Sequence, residues 1–130
     1  MNTDDVSSWP ALEELAHRYG VSTDYWDWQG NRVPVRVGTV AAVLAAFGID
    51  TTTDDAVRAA LSDVDLAPWR RLLPPVVVMR AGSPVRFTAH VPHGAPLVVE
   101  VLTEDGDVRA AYQCEHNVPP RQVDDRLVGE

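Results

Sequence analysis

LLPPVVVMRAGSPVRFTAHVPHGAPLVVEVLTEDGDVRAAYQC, residues 72–114, is where the hydrophobic period of the chain changes. Val85, Phe87, Ala89 and Val91 alternate with Arg86, Thr88 and His90, and Leu97, Val99 and Val101 stand opposite Glu100. Val108, Ala110, Tyr112 and Cys114 alternate with Arg109 and Gln113. A period of two is the pattern of strands with one dry face. Strands are therefore expected at 76–80, 85–91, 97–103 and 108–114, with a fifth beginning near Arg126. Asp105-Gly106 is placed to turn a two-residue type I′ hairpin, whose central residues need positive φ.

Upstream the period is 3.6. Leu12, Leu15, Ala16 and Tyr19 share one helical face, as do Val40, Val43, Leu44 and Phe47, and Val57, Ala60, Leu61 and Val64. Ser8 and Thr53 are candidate N-caps, Pro10 suits a first turn, and Gly20 and Gly48 suit helix ends. Three helices of roughly 10–12 residues are marginal alone and must bury their stripes on one another. The fold class is thus α+β. A helical subdomain at 1–74 precedes an antiparallel, immunoglobulin-like β-sandwich at 75–130, whose strand count falls short of a full sandwich.

Between the first two helices lies TDYWDWQGNRV, residues 23–33, with Tyr25, Trp26 and Trp28 within four positions. Leu12, Leu15, Leu44, Phe47 and Leu61 need bulky partners, and one tryptophan ring can bury about 150–250 Å². At least one of Trp26 and Trp28 is expected to fill that core. Trp69 is expected to pack at the joint between subdomains, and Arg70 and Arg71 to brace it by bonding carbonyls or an Asp, with anion binding by the two arginines as the alternative.

The net charge of −8 disfavours nucleic acid and anionic membranes as partners. No run approaches the roughly 18 apolar residues of a membrane span, and the acidic MNTDDVSSWP start is unlike a signal peptide. Together with a single cysteine, Cys114, this points to the cytoplasm. His90 and His93 flank Pro92 at a strand end, where exposure is expected rather than metal ligation. Cys114 and His116 lack the further ligands of a zinc site. The paired carboxylates at 54–55, 63/65, 104–107 and 124–125 read as helix-start charges and turn formers. No nucleophile elbow or phosphate loop occurs. Catalytic, metal and cofactor residues are accordingly none.

The order LEELAHRYGVSTDYWDWQGNRVPV, TVAAVLAAFGID, AVRAAL, PWRRLLPPVVVMRAGSP, HVPHG and VDDRLVGE resembles the N-terminal region of actinobacterial-type 4-α-glucanotransferases, the amylomaltases. The resemblance spans residues 9 to 130 and is most specific in YGV…YWDWQG, VLAAFGID and PWRRLLPPVVVMRAG. It implies a non-catalytic accessory domain, followed in the parent enzyme by further strands and a (β/α)₈ barrel. That barrel carries the catalytic carboxylates and transfers α-1,4-glucan segments by a retaining mechanism. The downstream barrel is the implied partner, and maltodextrin the implied ligand of the whole. A competing reading is a carbohydrate-binding module with Trp26, Trp28 and Tyr112 as stacking residues. A stand-alone interaction domain is a third. An open sheet edge would also favour a homodimer.

Overall fold

The computed structural model describes residues 4–114 and 117–130. The chain divides into two compact units, 1–65 and 66–130.

The first unit holds three helices and a hairpin. Helix α1, Pro10–Arg18, starts with proline at its first position. Trp9 is its N-cap and makes no side-chain capping bond. Ser8, expected in that role, instead donates its hydroxyl to the Asp5 carbonyl at 2.6 Å, within the 3₁₀ turn Val6–Ser8. Helix α2 runs Val37–Ala46 and helix α3 runs Asp54–Leu66. Thr53 caps α3 as expected, its hydroxyl accepting from the Ala56 amide at 3.1 Å. Asp54 and Asp55 place negative charge at the positive end of the α3 dipole.

Helices α1 and α2 end alike. The Val21 amide reaches back to the Ala16 carbonyl at 2.8 Å and the Gly20 amide to His17 at 3.0 Å. Ile49 and Gly48 repeat this on Leu44 and Ala45, at 3.1 and 2.9 Å. Each is a Schellman motif that satisfies carbonyls the helix leaves open. The stripes read from the sequence then meet: Val6, Leu12, Leu15, Ala16, Val40, Leu44 and Val57 form one buried cluster. Trp9, Tyr19, Val21, Val35, Ile49, Leu61 and Val64 pack around it.

The second unit is antiparallel β. Strands β3 (Val91–Pro92), β6 (Arg121–Val123) and β7 (Arg126–Gly129) form a sheet in the order β3-β7-β6. Strands β4 (Glu100–Leu102) and β5 (Val108–Ala110) form a separate hairpin. The strand near Arg126 is present, and 97–103 and 108–114 contribute shorter strands than expected. No strand occupies 76–80 or 85–90. A strand needs a backbone partner as well as an alternating pattern. Among the described residues the backbone bond across from these segments is that of the His90 amide to Leu72, at 2.9 Å, and the flanking Pro75 and Pro84 have no N–H to offer. The expected burial alternation fails too: Val85 is exposed, and Phe87 to Val91 are all half-buried.

The β4–β5 turn also differs from expectation. Thr103 donates its amide to Asp107 at 2.9 Å and Gly106 donates to Thr103 at 3.0 Å, so the loop has three residues. Only Gly106 has positive φ, 88°, which suits a type I turn with a glycine bulge and not type I′. Among the described residues of this unit, Val123 and Val128 are buried. The Trp69 ring lies 4.7 Å from the His90 ring, and the Arg121 guanidinium stands over it at 5.6 Å. Arg70 grips Asp124 with two hydrogen bonds, at 2.8 and 3.0 Å. The expected Asp partner of Arg70 is therefore real: Asp124 lies in the second unit, as do His90 and Arg121 beside Trp69.

Candidate functional site

The candidate site is the aromatic hairpin of the first unit. Strand β1, Asp24–Trp26, pairs antiparallel with β2, Arg32–Pro34, so that Tyr25 faces Val33 and Trp26 faces Arg32. Successive side chains of a strand leave on opposite faces. Asp24, Trp26 and Arg32 therefore share one face and Tyr25 the other. Trp28 sits in the connecting loop.

That loop is built by Asp27. Its backbone amide bonds Asn31 at 2.9 Å while its carboxylate accepts the amides of Gln29 and Asn31, at 2.9 and 2.8 Å. The Asn31 side chain adds a bond at 3.1 Å. Donation from Asn31 holds the Asp27 carboxyl below the ordinary carboxylate range. Gly30 takes the positive-φ position, at 81°. At the strand root, Asp24 is ion-paired with Arg32, and the hydrogen bond from Arg32 lowers the Asp24 pKa. The root is tied into the core. Buried Thr23 shares a 2.9 Å hydrogen bond with His17 of α1, and its carbonyl accepts from Val35 at 2.8 Å. The Val6 amide bonds the Val35 carbonyl at 3.0 Å, and the Val37 amide bonds Asp4 at 2.9 Å. Beside this root an open depression of about 330 Å³ is lined by His17, Gly20, Val21, Ser22, Thr23 and Asp24.

The rings themselves are outside. Trp26 is 69% exposed and Trp28 91% exposed, and Tyr25 is exposed as well. This corrects the expectation that one tryptophan fills the helical core. Trp9, Tyr19 and the aliphatic stripes pack that core instead, and an anchored hairpin holds the tryptophans clear of it. Tyr112, the third candidate, lies in the second unit beyond β5 and is 89% exposed. Arg32, opposite Trp26, was not singled out from the sequence. The signal was the Asp27-to-Asn31 turn, which fixes the register that pairs them.

His90 corrects a second expectation. Its ring is largely buried against Trp69, with Nε2 3.3 Å from the Glu130 carboxylate, whereas His93 is exposed. Cys114 is exposed, and His116 lies outside the described residues. Among the described residues no group of three or more His, Cys, Asp or Glu is placed to hold a metal. The carboxylates have structural partners: Asp54 accepts from the Trp9 indole at 3.0 Å and pairs with Arg58, and Asp105 accepts from the Thr103 hydroxyl at 2.5 Å. Among the described residues no helix is long and apolar enough to cross a membrane.

This is an α+β chain whose second half is built of antiparallel hairpins. Residues 72–130 match the family described as the MalQ N-terminal beta sandwich domain. Proteins named 4-alpha-glucanotransferase in Mycobacterium bovis and Mycobacterium tuberculosis are 42% identical to the chain over 122 residues. That alignment covers 93% of this chain and 17% of theirs. The crystal structure of amylomaltase from Corynebacterium glutamicum matches with a TM-score of 0.84 at 34% identity, over 92% of this chain and 18% of that one. Residues 72–130 thus carry the MalQ N-terminal sandwich match, and the chain as a whole is similar to the N-terminal region of proteins named 4-alpha-glucanotransferase and amylomaltase, spanning 17% of the length of the relatives it matches.

Proposed function

We propose that the chain is a non-catalytic accessory region of a cytoplasmic 4-α-glucanotransferase that moves α-1,4-glucan segments in maltodextrin metabolism. The observation that carries this reading is the 42% identity to enzymes of that name over only 17% of their length. The catalytic carboxylates then lie in the downstream barrel, which is the partner of this region. The carboxylates of this chain that cap helices, close turns and pair with arginines have structural work already. The helical subdomain is taken as 1–74 and the sandwich portion as 75–130. The test is direct: the 130-residue chain, incubated with maltotriose, should release no glucose above buffer. Release that disappears when any one carboxylate of the chain is replaced would sink the reading.

The exposed hairpin favours a second reading, glucan contact at Trp26 and Trp28, with Tyr112 as a further stacking ring. Indole faces stack on the apolar face of a pyranose, and the neighbouring Asp24, Arg32 and Gln29 offer hydroxyl partners. Maltoheptaose should then shift tryptophan fluorescence in the wild type and not in a folded Trp26→Ala, Trp28→Ala double variant. An unchanged spectrum in the wild type removes this reading and leaves the accessory role in place.

A further inference from the structure

Helix α2 is unlike its neighbours. Between Arg36 and Asp50 the chain has no charged residue, VGTVAAVLAAFGI, and α2 lies within that run. Its inward face is used: Val40 and Leu44 are buried in the helical core. Its outward face is apolar as well. Ala42 and Ala46 are exposed, Val43 is 39% exposed, and Phe47, stacked on Tyr19 at 6.2 Å, is 61% exposed. By contrast, α1 carries Glu13, Glu14 and Arg18, and α3 carries Asp54, Asp55, Arg58 and Asp63. A surface helix normally turns charge to water, and one that is apolar all round is normally buried all round.

We propose that the outward face of α2, formed by Ala42, Val43, Ala46 and Phe47, is the seat on which the catalytic part of the longer transferase packs. This rests on the accessory-region reading above. Two observations choose that occupant. The relatives extend far beyond the matched segment, which is 17% of their length, so the bulk of the protein is available to cover the face. A second copy of this chain brings a net charge of −8 against −8, which opposes self-association. A glucan would want polar groups beside the ring, and this face offers only Thr39. The alanines allow a packed element to approach closely, because interaxial distance follows side-chain size, and Phe47 is the anchor at one end.

Ala42→Arg tests the seat. Ala42 is exposed, so in the 130-residue chain the substitution should leave helicity and the unfolding midpoint unchanged. In the full-length transferase it forces an unpaired charge into a packed interface. Limited proteolysis should then release the N-terminal region more than about tenfold faster than in wild type, a factor that needs only ~1.4 kcal/mol. Gln29→Arg, on the hairpin loop, should leave the cleavage rate as in wild type. An unaltered rate with Ala42→Arg in the full-length enzyme overturns the proposal. So does unfolding of the 130-residue chain by that substitution, which would mean the face is packed within it. A concentration-dependent dimer of the chain that Ala42→Arg abolishes would make the occupant a second copy and equally overturn it. Maltotriose turnover by the isolated chain would instead strike the accessory reading, so the two failures are separable.

Discussion

The two units are made by different means. In the first, three helices of 9, 10 and 13 residues bring apolar stripes together, and seven residues are buried in one cluster. In the second, Val123 and Val128 are the buried hydrophobics among the described residues, and the rest of the order comes from short antiparallel pairs and from side-chain contacts distant in sequence. Trp69 sits on His90 and beneath Arg121, and Arg70 holds Asp124 across 54 positions. Stability in the first unit is thus shared among many apolar contacts. In the second it is concentrated in a few side chains, which makes it the more sensitive to single polar or aromatic replacements.

Substitutions can break this contrast. The largest effect is expected at the centre of the helical cluster: Leu44→Ala should cost roughly 2–5 kcal/mol, read from urea unfolding by far-UV circular dichroism. Next comes Trp69→Ala. The ring is half-buried, so a loss of about 2 kcal/mol is expected, below the roughly 3–5 of a fully buried aromatic. Its signature should be loss of the β6–β7 amide protection in hydrogen exchange, with the helices intact. If the helices melt at the same midpoint as β6–β7, the units do not differ as described. Thr53→Ala removes the α3 cap and should cost about 1 kcal/mol, with Thr53→Ser restoring most of it.

Acid sharpens the comparison at smaller scale. Asn31 and backbone amides hold Asp27 below the ordinary carboxylate range, and Arg70 does the same for Asp124. A depressed folded-state pKa contributes stability that is full above the unfolded value. It is lost as pH falls through the folded value. Both contributions should persist at neutral pH and fade below about pH 4. Carboxyl NMR titrations should show midpoints for both groups below those in the urea-unfolded chain. Asp124→Asn should reduce the acid sensitivity of the second unit, where Asp105 is also held low by Thr103, and leave that of the first unchanged. Smallest of all is Trp28→Ala, expected within about 0.5 kcal/mol because the ring touches little. A loss of several kcal/mol there would mean the hairpin folds back on the core.

Much of the first unit was legible because its signals are local. The spacing of Leu12, Leu15 and Ala16 predicts the buried face of α1, and Gly20 and Gly48 end their helices where the sequence puts them. The same logic misassigned the tryptophans. A count of bulky residues says that a core needs large partners, but cannot say which ones. Trp9 and Tyr19 were equally available, and the hairpin registered by Asp27 carried Trp26 and Trp28 away.

The α+β class, the helix positions, the caps at Thr53, Gly20 and Gly48, and the likeness to amylomaltase N-terminal regions are legible in the sequence. Each is written in contiguous residues, through a 3.6-residue period, a capping hydroxyl, or segments matched in order. The three-dimensional fold adds that the segments at 76–80 and 85–90 carry no ladder, that the His90 side chain is largely buried against Trp69, and that Arg70 pairs with Asp124. It also decided that the aromatic hairpin and the outer face of α2 stand open to solvent. These depend on which distant group comes within hydrogen-bond or van der Waals range. Periodicity records which residues share a face of their own element, and carries no information about what that face meets.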